Sequence, residues 1–340
     1  MPEFDALENT RWRGYRLSRR SIVKGVAMLP LATATAGLAG PAYAVAPASG
    51  EQAPGFYRFR VGGFELTNIY DGELARQLDA SLIPNASPDD ILPVIAAAGL
   101  PTDHIDNPYV FTSINTGTQL IMVDVGTRGK FAPPIAFGAR NMTAAGINPA
   151  DVDLIVLTHF HPDHLLGLTD RDNNPVYPNA QVAVGASELK FWDDDKAMAR
   201  AGEQLRPFFG FARRSIAPYR DRMRTFGDGD VISPGLQAIA TPGHTPGHMV
   251  IQVADGDDQL LILGDAISLP YIFVRHPEWH QIFDMDQDLA EQQRWKILRR
   301  AADENLRVVG AHFPFPAIGR IIADGDSFNY APEQWSSAVH

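Results

Sequence analysis

The chain has 340 residues, 45% hydrophobic and 20% charged, which excludes a collagen-like or disordered polymer. It contains no cysteine, so a disulfide framework, a catalytic thiol, a thiolate zinc site and a cysteine-held iron–sulfur cluster are all excluded. The net charge is −11, and residues 1–44 carry six Lys or Arg against three acids, which leaves the remainder more acidic than the whole. Such a body repels polyphosphates, so no nucleic-acid partner is expected.

In chain order, the first element is an address. Arg19-Arg20 precedes a mildly apolar tract that closes on Ala42-Tyr43-Ala44, a small–x–small string of the kind a signal peptidase accepts. This segment resembles the twin-arginine export signal of bacteria, and the resemblance implies a periplasmic or secreted product that is exported already folded with its cofactor. Pro30, threonines and glycines interrupt the tract, and no other stretch approaches the ~20 apolar residues of a spanning helix. No stable membrane anchor is therefore expected. Residues 45–60 read as a linker that opens on a run of Ala, Pro, Gly and Ser; 61–325 read as one multi-layer domain and 326–340 as a tail.

Within the domain, Tyr109–Asn115 and Gln119–Val123 flank Thr116-Gly117-Thr118 and predict a hairpin. Leu154–Leu157, Gln181–Val184, Leu236–Ala240, Met249–Val253, Leu260–Leu263 and Val308–Gly310 predict short strands. Helical spacing covers Asp89–Ala98 and Asp288–Ala302, where Leu289, Ile297, Leu298 and Ala301 share a face and Asp286 or Asp288 caps the start. Strands with interspersed helices give the α/β class.

Directly after Leu154–Leu157 comes Thr158-His159-Phe160-His161-Pro162-Asp163-His164. Four potential ligands within six residues at a strand end are hard to explain as packing. Imidazoles and a carboxylate are donors suited to Zn²⁺, Mn²⁺, Co²⁺ or Fe²⁺. The string resembles the signature of the metallo-β-lactamase superfamily. That resemblance implies an αββα four-layer sandwich and further ligands, and His244, Asp265 and His312 stand at the matching places. It also implies an allocation: His159, His161 and His244 on one metal, Asp163, His164 and His312 on the other, and Asp265 bridging. Two divalent metal ions are expected, zinc foremost, with Asp163 and Asp265 as the catalytic carboxylates. A hydroxide held between the metals would attack phosphorus or a carbonyl carbon, with no side-chain nucleophile.

Within the superfamily, the strings around the ligands are similar to those of exported methyl parathion hydrolases, with quorum-quenching lactonases as near neighbours. The substrates implied are an aryl phosphotriester, an aryl ester or a lactone. The missing cysteine separates the chain from the commonest class B β-lactamases, and a redox or non-hydrolytic dimetal protein is the alternative. Phe131, Trp192, Phe208 and Phe209 are the candidate aromatic wall of a substrate pocket, core packing being the other reading. His248 either holds Asp265 or a ligand in place or packs in a turn. The basic run Arg206–Arg224 is either a solvated face or an anion-attracting entrance. The partner is a small molecule, and a homodimer is left open.

Overall fold

The structure is a computed structural model, described for residues 48–50, 52–78 and 82–340. The twin-arginine segment lies outside the described residues. From Glu51 onward the chain forms one compact unit. Its first sheet runs, neighbour to neighbour in chain order, through β1 (Phe56–Val61), β2 (Phe64–Gln77), β3 (His104–Asn115), β4 (Leu120–Val123), β5 (Leu154–Leu157), β6 (Gln181–Gly185) and β7 (Met223–Phe226). The second runs from β14 (Ser327–Pro332) through β13 (Ile318–Asp324), β12 (Arg307–Val309), β11 (Asp258–Ile262), β10 (Met249–Asp255) and β9 (Leu236–Ala240) to β8 (Val231–Ser233).

The pairing follows from the connections. β1 to β4 pair antiparallel, with short hairpins at β1–β2 and β3–β4, whereas helical crossovers join β4 to β7 parallel. α1 (Pro88–Ala97) lies in the longer antiparallel connection from β2 to β3, and the crossovers use α2 (Gly138–Ala144), α3 (Pro162–Leu165), α4 (Ala186–Asp193), α5 (Asp195–Arg200) and α6 (Arg206–Ile216). In the second sheet, α7 (Pro270–Phe273) and α8 (Gln287–Asp303) connect β11 to a parallel β12. α1 starts on a capping box between Ser87 and Asp90, and α8 starts where the Asp286 carboxylate accepts the Leu289 N–H.

Three apolar cores separate four layers. Between the sheets pack Phe59, Leu66, Ile121 and Val156 of the first with Leu236, Ile251, Leu260 and Val309 of the second. α2 to α6 cover the first sheet over Ile155, Trp192, Phe209 and Tyr219; α1, α7 and α8 cover the second over Ile95, Phe273, Ile297 and Val308. This is the expected αββα sandwich.

The sheets extend further than the expected boundaries. β1 takes residues 56–60 out of the linker, because Tyr57, Phe59 and Val61 alternate into the core; β14 takes 327–332 out of the tail, because Phe328 and Tyr330 do the same. On α8 the buried face is Ala290, Arg294, Ile297, Leu298 and Ala301, with Leu289 half-buried at its edge. Among the described residues no helix is long and apolar enough to cross a membrane.

Candidate metal centre

Strand ends bring the expected ligands together. His159, His161, Asp163 and His164 follow β5, His244 follows β9, Asp265 follows β11 and His312 follows β12. Their donor atoms form two groups: His159, His161, His244 and Asp265, and Asp163, His164, Asp265 and His312. Asp265 belongs to both. Its Oδ1 lies 3.2 Å from His164 Nε2, and its Oδ2 lies 3.3 Å from His244 Nε2 and 3.2 Å from His312 Nε2. Asp163 Oδ2 faces His164 Nε2 at 3.2 Å and His312 Nε2 at 3.3 Å.

The donor set fits cations on its own terms. His159 Nε2, His164 Nε2 and Asp265 Oδ1 are buried yet make no hydrogen bond, which is costly unless a further group satisfies them. His161 Nδ1 and His244 Nε2 stand 2.9 Å apart, a contact that needs a proton on one of the two nitrogens or a cation taken up by both. Burial drives His161 down to about 3 and His159 well below its ordinary value. Burial opposes charge on His244 and His312 as well, yet the neighbouring carboxylates outweigh it and raise them to about 9 and about 10. Burial alone would raise Asp265, but His312, His164 and His244 hold it well below the usual carboxylate range. Protons thus supply the positive charge that this cluster demands, and divalent ions compete for the same lone pairs. The two groups constitute a site for two metal ions.

Four of the five ligand rings are oriented at the far nitrogen, His159 by Thr158 Oγ1 at 3.1 Å. His164 Nδ1 meets Asp124 Oδ2 at 2.8 Å, and the same carboxylate accepts from Thr158 N and Oγ1. His312 Nδ1 donates to Pro108 O at 2.7 Å. His244 Nδ1 meets Asp284 at 2.9 Å; Asp284 in turn holds Arg294 at 2.8 Å, both side chains being fully buried. His248 acts on Asp265: its Nε2 accepts the Asp265 backbone N–H at 2.9 Å, so its proton sits on Nδ1, 2.7 Å from Thr241 Oγ1. Between them Gly264 has φ +53°, and a Cβ there would stand 2.7 Å from His248 Nε2.

Glu188 on α4 ties the two histidine loops together. It accepts from Phe160 N and Trp192 Nε1 with one oxygen and from Thr245 Oγ1 and Gly247 N with the other. A Cβ on Gly247 would fall 2.1 Å from Glu188 N, so only glycine permits this approach.

Residues 102–312, more than half of the chain, match the model of the metallo-beta-lactamase superfamily. The chain belongs to that superfamily. The structure of AidC, a dizinc quorum-quenching lactonase in complex with a product, is similar with a TM-score of 0.79 and 25% identity, over 83% of this chain and 99% of that one. Hydrolase AbOPH, in the beta lactamase superfamily, gives 0.80 and 26% over 84% and 100%. A probable metallo-hydrolase of Mycobacterium tuberculosis is 29% identical over 197 residues, 52% of this chain; the match spans only 59% of that relative.

Above the two ligand groups of this superfamily member opens a narrow cleft. His244, Asp265 and His312 form its floor; Leu82, Ile105, Leu269, Phe273, Ile282 and Phe283 supply apolar wall, and Arg76, Asn107, Ser268 and Gln281 supply polar wall. The expected aromatic wall is corrected in two of its members. Trp192 and Phe209 are fully buried and pack on each other at 4.7 Å beneath α6. The indole N–H needs a buried acceptor and finds Glu188, which turns the ring behind His161 rather than into the cleft. Phe131 is exposed in the β4–α2 segment and is not among the cleft's lining residues. Phe208 alone is half-buried beside a ligand, 5.6 Å from the His161 ring.

The basic run is spent locally. Arg213 pairs with Asp195, Arg220 with Asp193, and Arg206, Arg222 and Arg224 donate to backbone carbonyls; none lines the cleft. His276 stacks on Trp279 and His280 pairs with Glu291, away from the centre. Sequence reasoning missed Glu188, Asp284, Arg294, Arg76 and Gln281. Asp124 was visible within Val123-Asp124-Val125-Gly126, but its hold on His164 was not.

Proposed function

We propose that the protein is a zinc-dependent hydrolase of lactones and related neutral esters. The carrying observation is Asp265, shared by two ligand groups at the floor of a cleft with largely apolar walls. When bound, two zinc ions would supply a hydroxide at neutral pH and polarise the oxygen of the scissile group. The chain's own part is geometric. Asp265 turns Oδ1 to His164 and Oδ2 to both His244 and His312, so its carboxylate faces rings of both groups, and His248 fixes its backbone. Asp124, Asp284 and Pro108 hold three rings at their far nitrogens, so that the ligand atoms need no reorganisation.

A small apolar pocket shares Ile105, Leu269 and His312 with the cleft and adds Leu100, Pro101 and Tyr271. It suits an apolar tail carried by the substrate. The similarity to a dizinc lactonase supports the same reading. A second reading, aryl dialkyl phosphotriesters such as methyl parathion, is favoured by Phe273 and Phe283 on the cleft wall.

The test is a hydrolysis panel on zinc-loaded protein. Turnover of γ-lactones and aryl esters is expected, with phosphotriesters slower and β-lactams slowest. β-Lactams or glutathione thioesters turned over faster than lactones, esters and phosphotriesters would overturn the assignment.

A further inference from the structure

Arg294 lies midway along α8, yet its side chain is fully buried, as is that of its partner Asp284. An arginine leaves water only where several acceptors converge on it. Here Nη1 donates to Pro277 O at 2.8 Å and to Trp279 O at 2.6 Å, and Nη2 meets Asp284 Oδ2 at 2.8 Å. The planar fork therefore grips both ends of the stretch 277–284 between α7 and α8. That stretch places Gln281, Ile282 and Phe283 on the cleft wall.

The same carboxylate reaches the floor. Asp284 Oδ1 accepts from His244 Nδ1 at 2.9 Å. Beside it, the Met285 and Asp286 N–H groups donate to His244 O at 3.2 Å and Gly243 O at 2.9 Å. Gly243 stands so close to α8 that a Cβ would fall 2.3 Å from Ala290 N. The His244 loop is thus docked on the wall segment by side chain and by backbone. Other holds on the segment are weaker. Ile282 and Phe283 are 40% and 41% exposed, and the bonds from Asn85 to Glu278 O and His280 N are open to water.

We propose that Arg294 is a positioning residue that makes the wall segment 277–286 and the His244 ligand group one cooperative unit. Docking of the segment holds the His244 ring ready for a metal ion, and a metal ion on that ring in turn holds the segment closed. Binding linkage makes the two effects equal in size. The cleft wall is then complete only in the metal-loaded protein. The meaning of that wall rests on the hydrolase reading above; the coupling itself is between a metal ion and the chain.

The experiment measures amide hydrogen exchange in metal-free and zinc-loaded wild type. Zinc should slow exchange across 277–286 roughly 10- to 100-fold, the size of effect expected of an outer partner of a ligand, and leave α2 unchanged. Equal exchange with and without zinc at 277–286 overturns the proposal. Chelator competition then gives the zinc affinity of Arg294→Met and Arg294→Lys. In the Met variant one of the two equivalents should bind roughly 10- to 100-fold more weakly, and the zinc-dependent protection of 277–286 should disappear. Lys keeps a cation for Asp284 but cannot also serve both carbonyls, so it should fall between Met and wild type. A folded Met variant with wild-type affinity for both equivalents overturns the proposal, as does a Lys variant equal to wild type in affinity and protection. The wild-type exchange measurement decides the matter if the Met variant does not fold. Failure of the hydrolase reading is seen separately, as zinc-loaded wild type that shows the protection but turns over no lactone or ester.

Discussion

At the floor of the cleft, four of the five ligand rings have the nitrogen turned away from Asp265 engaged, by Thr158, Asp124, Asp284 or Pro108, and each ligand sits just past a strand end. The wall above it draws on β2, β3, the loop after β11 and the segment before α8, and among the described residues it leaves Gln281 Nε2 buried without a hydrogen bond. The floor is over-determined because cations demand particular donors in a fixed arrangement. The wall is under-determined because any side chain of suitable shape serves until a substrate selects. Chemistry common to a superfamily is written in the first region and individuality in the second.

The sharpest way to break this contrast is at the floor. Asp265→Ala removes the one carboxylate shared by both ligand groups, leaving two cations without a common anion. Metal content should fall below two equivalents per chain. Activity should drop by more than the 10–100-fold typical of losing an outer hydrogen-bond partner. Full occupancy with undiminished turnover would show that Asp265 does not bridge.

Trp192 separates support from wall. It is fully buried, packed on Phe209 and Phe191, and bonded to Glu188. Trp192→Ala should therefore cost about 3–5 kcal/mol of folding stability by urea unfolding, as large-to-small core substitutions do. The relative kcat/KM of aryl and aliphatic substrates should stay constant in the protein that remains folded. A shift in substrate preference at unchanged stability would return the indole to the wall.

These two residues also mark what was legible before folding. The ligands could be read because coordination forces histidines and aspartates into short strings after apolar strands, as in residues 158–164 and 243–248. The strands themselves could be read because β5 and β9 are continuous apolar or alternating runs. β1 and β14 were hidden in segments whose composition resembled linker and tail, although their alternation was present. Trp192 was misassigned because an aromatic between two ligand motifs has the same local signature whether it faces a cleft or a core; its N–H acceptor, Glu188, decides, and that contact is tertiary. Arg76 and Gln281 line one cleft but are 205 positions apart in sequence, and nothing local marks either as a cleft residue.

His248 offers a subtler cut at the floor. His248→Ala deletes the acceptor for the Asp265 N–H while leaving all seven ligands in place. Activity should fall roughly 10–100-fold with a parallel weakening of metal affinity, and a far smaller change would reduce His248 to a packing residue. Titration against a chelator measures the affinity directly and does not depend on substrate.

The smallest effect belongs to the basic run, where the contrast between wall and surface can be sharpened. Arg220 pairs with Asp193 through both nitrogens, but the two side chains are 42% and 33% exposed. Water and salt screen such a pair, so Arg220→Ala should change stability by only about 0–1 kcal/mol. Because Arg220 does not line the cleft, kcat/KM and its dependence on ionic strength should match wild type for neutral and anionic substrates alike. A loss of salt dependence in Arg220→Ala would instead make α6 and its flanks an electrostatic entrance, and charge recognition could not then be credited to Arg76 alone. Equal salt dependence would leave Arg76, whose guanidinium lies over the Phe283 ring, as the arginine that lines the cleft among the described residues.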